Sequence, residues 1–350
     1  MKLHIRLLLS LTVMALLRVA LADPAPLLAS GKDADGRPLP FGHRAHRAAN
    51  APLGTGPFRA IMSEDASLPD HTLYYPADLG AAGRLPVIVW GNGACLNAGN
   101  RFRDFLTEIA SHGFMVIAGG PIDNVKYEVG PQENPPVRRS GAAPAPLPAA
   151  ARGAPAPGDA VGRNTVQQLL AGLDWAEKAE ENPASPFYHR LEVSEMGVAG
   201  QSCGGMLATA VSADPRIKAT ALFSGAPMAR TGRVGGKAAT PEDIQGELNA
   251  IHAPILLLAG DATHDVAHEA TVADAGAIRN VPVFAAWQEK LTHIGTYGMP
   301  DGGELGRLAW QWFAWQLRGD TAAAGTFRGA DCGLCRETPD GWHVIRHIPQ

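Results

Sequence analysis

Ser202 lies in Gly200-Gln201-Ser202-Cys203-Gly204, a G-x-S-x-G pattern inside the run Glu-Met-Gly-Val-Ala-Gly-Gln-Ser-Cys-Gly-Gly-Met-Leu-Ala over residues 195–208. The apolar residues before it read as a buried strand, and the small and apolar residues after it read as a helix. The serine therefore falls on a sharp strand-to-helix turn, and Gly200 and Gly204 leave room for the two elements to approach. A hydroxyl exposed on such an elbow is suited to nucleophilic attack once a base takes its proton and an acid fixes the tautomer of that base. Acid and base are expected after the serine, in that order, on loops that follow later strands. His293, in Leu-Thr-His-Ile-Gly-Thr-Tyr-Gly, follows the last predicted strand and is the best base; a loop histidine without chemistry is the alternative. The acid should follow the strand ending near residue 259, where Asp261 and Asp265 both qualify. Asp261 is close enough to that strand to shape the turn, so Asp265 is preferred.

The tetrahedral intermediate of acyl transfer also needs two N–H donors for its oxyanion. One is expected from the amide of Cys203, next after the serine. The other is expected from the loop Gly91-Asn92-Gly93-Ala94-Cys95, whose small residues admit close approach; the amide of Asn92 is chosen, with Gly93 next. This places Cys95 and Cys203 on the two segments that would build the hole. Four cysteines allow three pairings. A Cys95–Cys203 disulfide would pin both donors together and leave Cys332–Cys335 to close a small loop; two buried free thiols are the alternative for the first pair. Two metal readings compete. His264, Asp265 and His268 could share a helical face, but no further ligand is evident nearby. Cys332 and Cys335 could join His343 and His347, but the gap between the pairs is shorter than in a two-Cys two-His finger. Neither is preferred, and no cofactor is expected.

These residues need a scaffold, and the chain alternates strand and helix patterns around them. Apolar runs near 71–75, 85–90, 114–118, 218–223, 254–259 and 281–287 read as strands. Helical spacing appears over 102–112, 164–180 and 303–317. The alternation predicts an α/β fold with a mostly parallel central sheet and helices on both faces. One domain over residues 67–318 follows, with a lead-in at 23–66, a Pro/Ala/Gly-rich insertion at 121–163 and an appended tail at 319–350. The insertion reads as a surface segment or as a lid over a nearby site. His43 and His46 in the lead-in read as exposed loop histidines.

Composition bounds the partners. A net charge of −4 with no strong basic cluster gives no electrostatic reason to expect nucleic acid. Lys2 and Arg6 precede an apolar run over 7–17, and Ala20-Leu21-Ala22 has the small-x-small form of a cleavage site, so residues 1–22 read as an export signal. Arg18 between run and site leaves a retained anchor as the alternative. No other stretch is apolar and long enough to span a bilayer, so stable membrane insertion is not expected. A secreted or periplasmic location follows, in which disulfides are chemically reasonable.

The segments Val-Ile-Val-Trp-Gly-Asn-Gly at 87–93, Ala-Ser-His-Gly-Phe-Met-Val-Ile-Ala at 110–118, Gly-Gln-Ser-Cys-Gly-Gly at 200–205 and Asp-Pro-Arg-Ile at 214–217 resemble the α/β-hydrolase superfamily. Within it they resemble the serine esterases around dienelactone hydrolase, chlorophyllase and the cutinase-like polyester hydrolases. The resemblance covers roughly 71–320. It implies an α/β-hydrolase fold with Ser202 as nucleophile, Asp265 as acid, His293 as base, and the amides of Asn92 and Cys203 as the hole. The polyester hydrolases carry an aromatic residue beside each catalytic feature, whereas here Asn92 occupies the place of the oxyanion-loop aromatic and Gln201 that of the residue before the serine, which counts against aromatic polymer binding. The expected function is hydrolysis of a small-molecule or polymeric carboxylic ester through an acyl-enzyme. An amidase or peptidase using the same groups, and a non-catalytic binding protein on a hydrolase scaffold, are the alternatives.

Overall fold

Continuous apolar runs that alternate with amphipathic ones can bury themselves only in the middle of a sheet covered on both faces. The computed structural model describes residues 54–122, 163–234, 237–337 and 341–347. The signal-like segment 1–22, most of the lead-in with His43 and His46, and nearly all of the insertion 121–163 lie outside them. Eleven strands are described: β1 Ala60–Asp65, β2 Leu68–Pro76, β3 Leu85–Gly91, β4 Met115–Gly119, β5 Leu191–Gln201, β6 Ile217–Phe223, β7 Arg233–Val234, β8 Lys237–Ala238, β9 Ile255–Gly260, β10 Val283–Gln288 and β11 Trp342–His347. The α-helices are α1 Leu79–Ala82, α2 Arg103–Ser111, α3 Val166–Glu181, α4 Cys203–Val211, α5 Pro241–Ala250, α6 His268–Ala277, α7 Gly303–Arg318, α8 Thr321–Ala324 and α9 Gly333–Arg336.

Nine strands form one sheet in the order β1-β2-β4-β3-β5-β6-β9-β10-β11. The six from β4 to β10 are mutually parallel, whereas β1, β2 and β11 add antiparallel edges. The expected α/β architecture is therefore present, with helices on both faces. Side chains along a strand point alternately to opposite faces. Ile88, Trp90, Val116 and Ala118 accordingly join one core with residues of α2 and α7. Val87, Val89, Met115 and Ile117 join the other with residues of α3 and α4. The helices begin where capping chemistry permits. Thr165 accepts from the Gln168 amide at the start of α3, and Thr240 with Asp243 forms a capping box ahead of Pro241 at the start of α5.

The tail departs from expectation. Residues 319–350 were expected as an appendage, yet Trp342–His347 is the ninth strand of the sheet, pairing antiparallel with β10. Phe327, Cys332, Leu334 and Trp342 are buried in the same core as α7. An edge strand carrying His343, Arg346 and His347 has no continuous apolar run to betray it, and its pairing is decided by β10.

Trp90 is fully buried at the end of β3, with ring centroids of Phe102 and Phe105 each 5.1 Å away and that of Phe223 6.0 Å away. Its indole N–H donates to Asn92 Oδ1 at 3.0 Å, coupling the core to the loop above it. Truncating Trp90→Ala removes both interactions and is expected to cost about 3–5 kcal/mol of stability, read as a lower midpoint in urea unfolding.

Candidate active site

Because β3, β5, β6, β9 and β10 are parallel, the loops that follow them emerge at one edge of the sheet, where side chains distant in sequence can converge. Ser202 follows β5 with φ 53° and ψ −119°, a sparsely populated conformation for a side-chain-bearing residue. Its amide donates to the Phe223 carbonyl at the end of β6, 3.0 Å away. Helix α4 starts immediately and passes so close to β3 that a Cβ on Gly204 would lie 1.9 Å from the Gly91 carbonyl oxygen. Only glycine fits there. Ala94, Cys95 and Ser224 at this same edge also have positive φ.

The structure brings three of the expected side chains together. Ser202 Oγ lies 2.8 Å from His293 Nε2, and His293 Nδ1 lies 2.7 Å from Asp265 Oδ1. An ionised carboxylate can only accept, so His293 Nδ1–H donates to Asp265 and the Nε2 lone pair is left to accept the Ser202 hydroxyl proton. Asp265 is 2% exposed, whereas the His293 side chain is 21% exposed. Burial alone would raise the Asp265 carboxyl, but the bond and charge of His293, the Ser224 hydroxyl and the Gly260 amide together hold it below its usual value. Ser224 Oγ donates to Asp265 Oδ2 at 2.6 Å, the Gly260 amide donates to Oδ2 at 2.8 Å, and the Ala267 amide donates to Oδ1 at 2.8 Å. The carboxylate is thus fully engaged and aimed.

Asp261, the other acid considered, has a different task. It accepts from the amides of Thr263, His264 and Lys290 and from His264 Nδ1, tying the loop after β9 to the loop after β10. His268 Nδ1 faces the Gly260 carbonyl at 2.9 Å. Among the described residues no group of three or more His, Cys, Asp or Glu side chains is arranged to hold a metal. His293 is held through its backbone as well: its N–H donates to the His264 carbonyl at 3.2 Å, and its carbonyl accepts from Gln201 Nε2 at 2.9 Å.

One expected role requires correction. The Asn92 amide, expected as an oxyanion donor, donates to Asn164 Oδ1 at 3.1 Å and is fully buried. It is committed to holding the loop. The Asn92 side chain does the same, donating to the carbonyls of Leu96, Ala98 and Gly119 and accepting from Trp90. The amides of Gly93 and Ala94 carry no hydrogen bond among the described residues. A Cβ on Gly93 would come within 2.0 Å of Gln201 Oε1, so the loop lies tightly against the residue preceding Ser202. Cys203 is the first residue of α4, where helical N–H groups have no intrahelical acceptor.

Both disulfides are present. Cys95–Cys203 joins the loop after β3 to the start of α4, with Cα atoms 5.2 Å apart, and Cys332–Cys335 closes a turn beside β11. Asn164 and Ser224 are site residues that the sequence did not disclose. The one available signal for Ser224 is its place directly after a predicted strand, at the edge that also carries Ser202.

No protein-family model matches the chain. No curated protein matches it either.

Removing the Asn92 side chain takes the acceptor from the buried Trp90 indole N–H and a donor from the carbonyls of Leu96, Ala98 and Gly119, of which Ala98 still accepts from the Arg101 amide. Asn92→Ala should therefore lose about 3 kcal/mol or more in denaturant unfolding, well beyond an ordinary surface substitution. The lowered carboxyl of Asp265 carries a definite sign. Its stabilisation is present above the ordinary carboxyl value near about pH 4 and is lost as pH falls through the lower folded value. Asp265→Asn should flatten this acid limb when stability is measured against pH.

Proposed function

We propose that the chain is a serine hydrolase of the α/β-hydrolase type that cleaves carboxylic esters through an acyl-enzyme on Ser202. The observation that carries this reading is the unbroken relay from the Ser202 hydroxyl to His293 Nε2, 2.8 Å, and from His293 Nδ1 to a buried Asp265, 2.7 Å. The strained Ser202 backbone at a strand-to-helix turn, and the succession Ser, Asp, His on loops after parallel strands, support it further.

In this mechanism Ser202 Oγ attacks the ester carbonyl carbon while its proton passes to His293 Nε2. The imidazolium that forms is stabilised by Asp265, which stays ionised. The carbonyl oxygen becomes an oxyanion and takes the Cys203 amide and, with Asn92 committed elsewhere, the Gly93 amide as donors. His293 then protonates the leaving alcohol, the tetrahedral intermediate collapses and an acyl-Ser202 ester remains. A water, deprotonated by His293, attacks that ester, and the proton returns to Ser202 as the acid leaves.

The two disulfides are compatible with an oxidising compartment such as the periplasm or the extracellular space, and export there is part of the proposal. Among the described residues no helix is long and apolar enough to cross a membrane.

The test is covalent labelling by a fluorophosphonate, with p-nitrophenyl ester turnover recorded on the same samples. Wild type should label and turn over, and Ser202→Ala should lose the label and about 10⁴-fold or more of kcat. A folded wild type that neither labels nor hydrolyses any ester in a chain-length series overturns the reading.

A further inference from the structure

The two disulfides present different faces to an approaching thiol. Cys95–Cys203 joins residues 108 positions apart, whereas Cys332–Cys335 joins residues three positions apart. The shorter the loop a disulfide closes, the less loop-closure entropy protects it, so the second bond has little of that protection. Its two ends also differ. Cys332 is 0% exposed and packs in the core with Phe327, Leu334 and Trp342. Cys335 is half-buried and lines a cavity of about 330 Å³ together with His343, Val344 and Arg346 of β11. With Cys332 closed to solvent, a thiolate can reach this bond only from the Cys335 side.

The far sulfur is prepared to leave. The Cys335 amide donates to Cys332 Sγ at 3.1 Å. A donor on sulfur favours the thiolate over the thiol, and a better-stabilised thiolate leaves faster in disulfide exchange. The cavity also carries positive charge and no lining carboxylate. Arg346 is exposed there and spends one N–H on the Gly329 carbonyl, which leaves the rest of its fork for an anion. Arg336, directly after Cys335, is exposed as well. The neighbouring acids are engaged elsewhere: Glu337 accepts from Arg307, and Glu289 faces His343 at 3.1 Å.

We propose that Cys332–Cys335 is a thiol-exchange site, opened at Cys335 by a small thiol that carries a carboxylate. The sulfur of that thiolate bonds to Cys335 Sγ as the Cys332–Cys335 bond breaks, and Cys332 Sγ leaves as a thiolate. The carboxylate rests against Arg346. A second small thiolate then attacks the first one's sulfur in the mixed disulfide and expels the Cys335 thiolate. Two small thiols are thereby oxidised to their disulfide, one protein disulfide is reduced, and the protein thiolates take protons from water. The assignment does not depend on any chemistry at Ser202.

The full chain is incubated with 3-mercaptopropionate or, at equal thiolate concentration, with the uncharged 2-mercaptoethanol, then alkylated with iodoacetamide and mapped by peptide mass spectrometry. Cys332 and Cys335 should open while Cys95 and Cys203 stay joined. Opening should be about twofold to fivefold faster with the carboxylate-bearing thiol at low ionic strength, and Arg346→Gln, at an exposed position, should remove that difference. Cys332→Ala and Cys335→Ala each leave one free thiol. That of Cys335 should react with the disulfide of 3-mercaptopropionate at least about tenfold faster than that of Cys332. The mapping on unaltered protein stands even if a cysteine variant fails to fold. Opening of Cys95–Cys203 first, resistance of Cys332–Cys335 in the folded chain, equal rates with the two thiols, or faster reaction at Cys332 each overturns the proposal.

Discussion

A carboxylate almost wholly removed from water is tolerated only where several donors converge on it, and Asp265 imposes that demand on this fold. Its donors come from four separate places: Ser224 after β6, the Gly260 amide at the end of β9, the Ala267 amide in the following loop, and His293 after β10. Losing any one leaves buried charge under-compensated, so the loops at this edge are mutually fixed. The parallel strands make this convergence available by delivering every one of those loops to the same side. The orientation of His293 toward Ser202 is a consequence of that arrangement.

The serine side of the site rests on a different device. The loop after β3 must turn through two successive residues with positive φ, Ala94 and Cys95, and such backbone persists only where its surroundings over-determine it. The surroundings do so three times over. Asn92 spreads its side chain over three carbonyls, Asn164 takes the Asn92 amide, and the Cys95–Cys203 disulfide ties the loop to the start of α4. Gln201 adds a link across the elbow, touching the same loop at Gly93 and holding the His293 carbonyl. In the proposed reaction this network keeps an oxyanion donor at a set distance from Ser202 through both acylation and deacylation.

The opposite edge of the sheet is organised around an aromatic cluster. Phe327 gathers Phe284, Trp312 and Trp315, and the returning strand β11 brings Arg346 to the mouth of the cavity they line. The C-terminal segment therefore completes the sheet and also shapes a surface remote from Ser202. Disposed in this way, the two edges can be altered separately, since no described side chain belongs to both.

The sequence by itself determined the elements whose signals are local. The apolar runs of β3, β4, β5, β9 and β10 could be read because strands buried on both faces must be apolar at nearly every position. The spacing of Ser202, Asp265 and His293 was legible because each lies just after such a run, and the cysteine pairing followed from which loops two of the cysteines occupy. Tertiary structure decided what depends on partners far along the chain. Asn92 looked like an oxyanion donor until Asn164, 72 residues away, was found to occupy its amide. Ser224 carries no motif, and its role exists only because β6 and β9 are neighbours in the sheet. The polar edge strand β11 pairs only because β10 presents a free edge. Short-range periodicity records burial, whereas the commitment of a particular N–H or hydroxyl is settled by whichever distant group the fold sets against it.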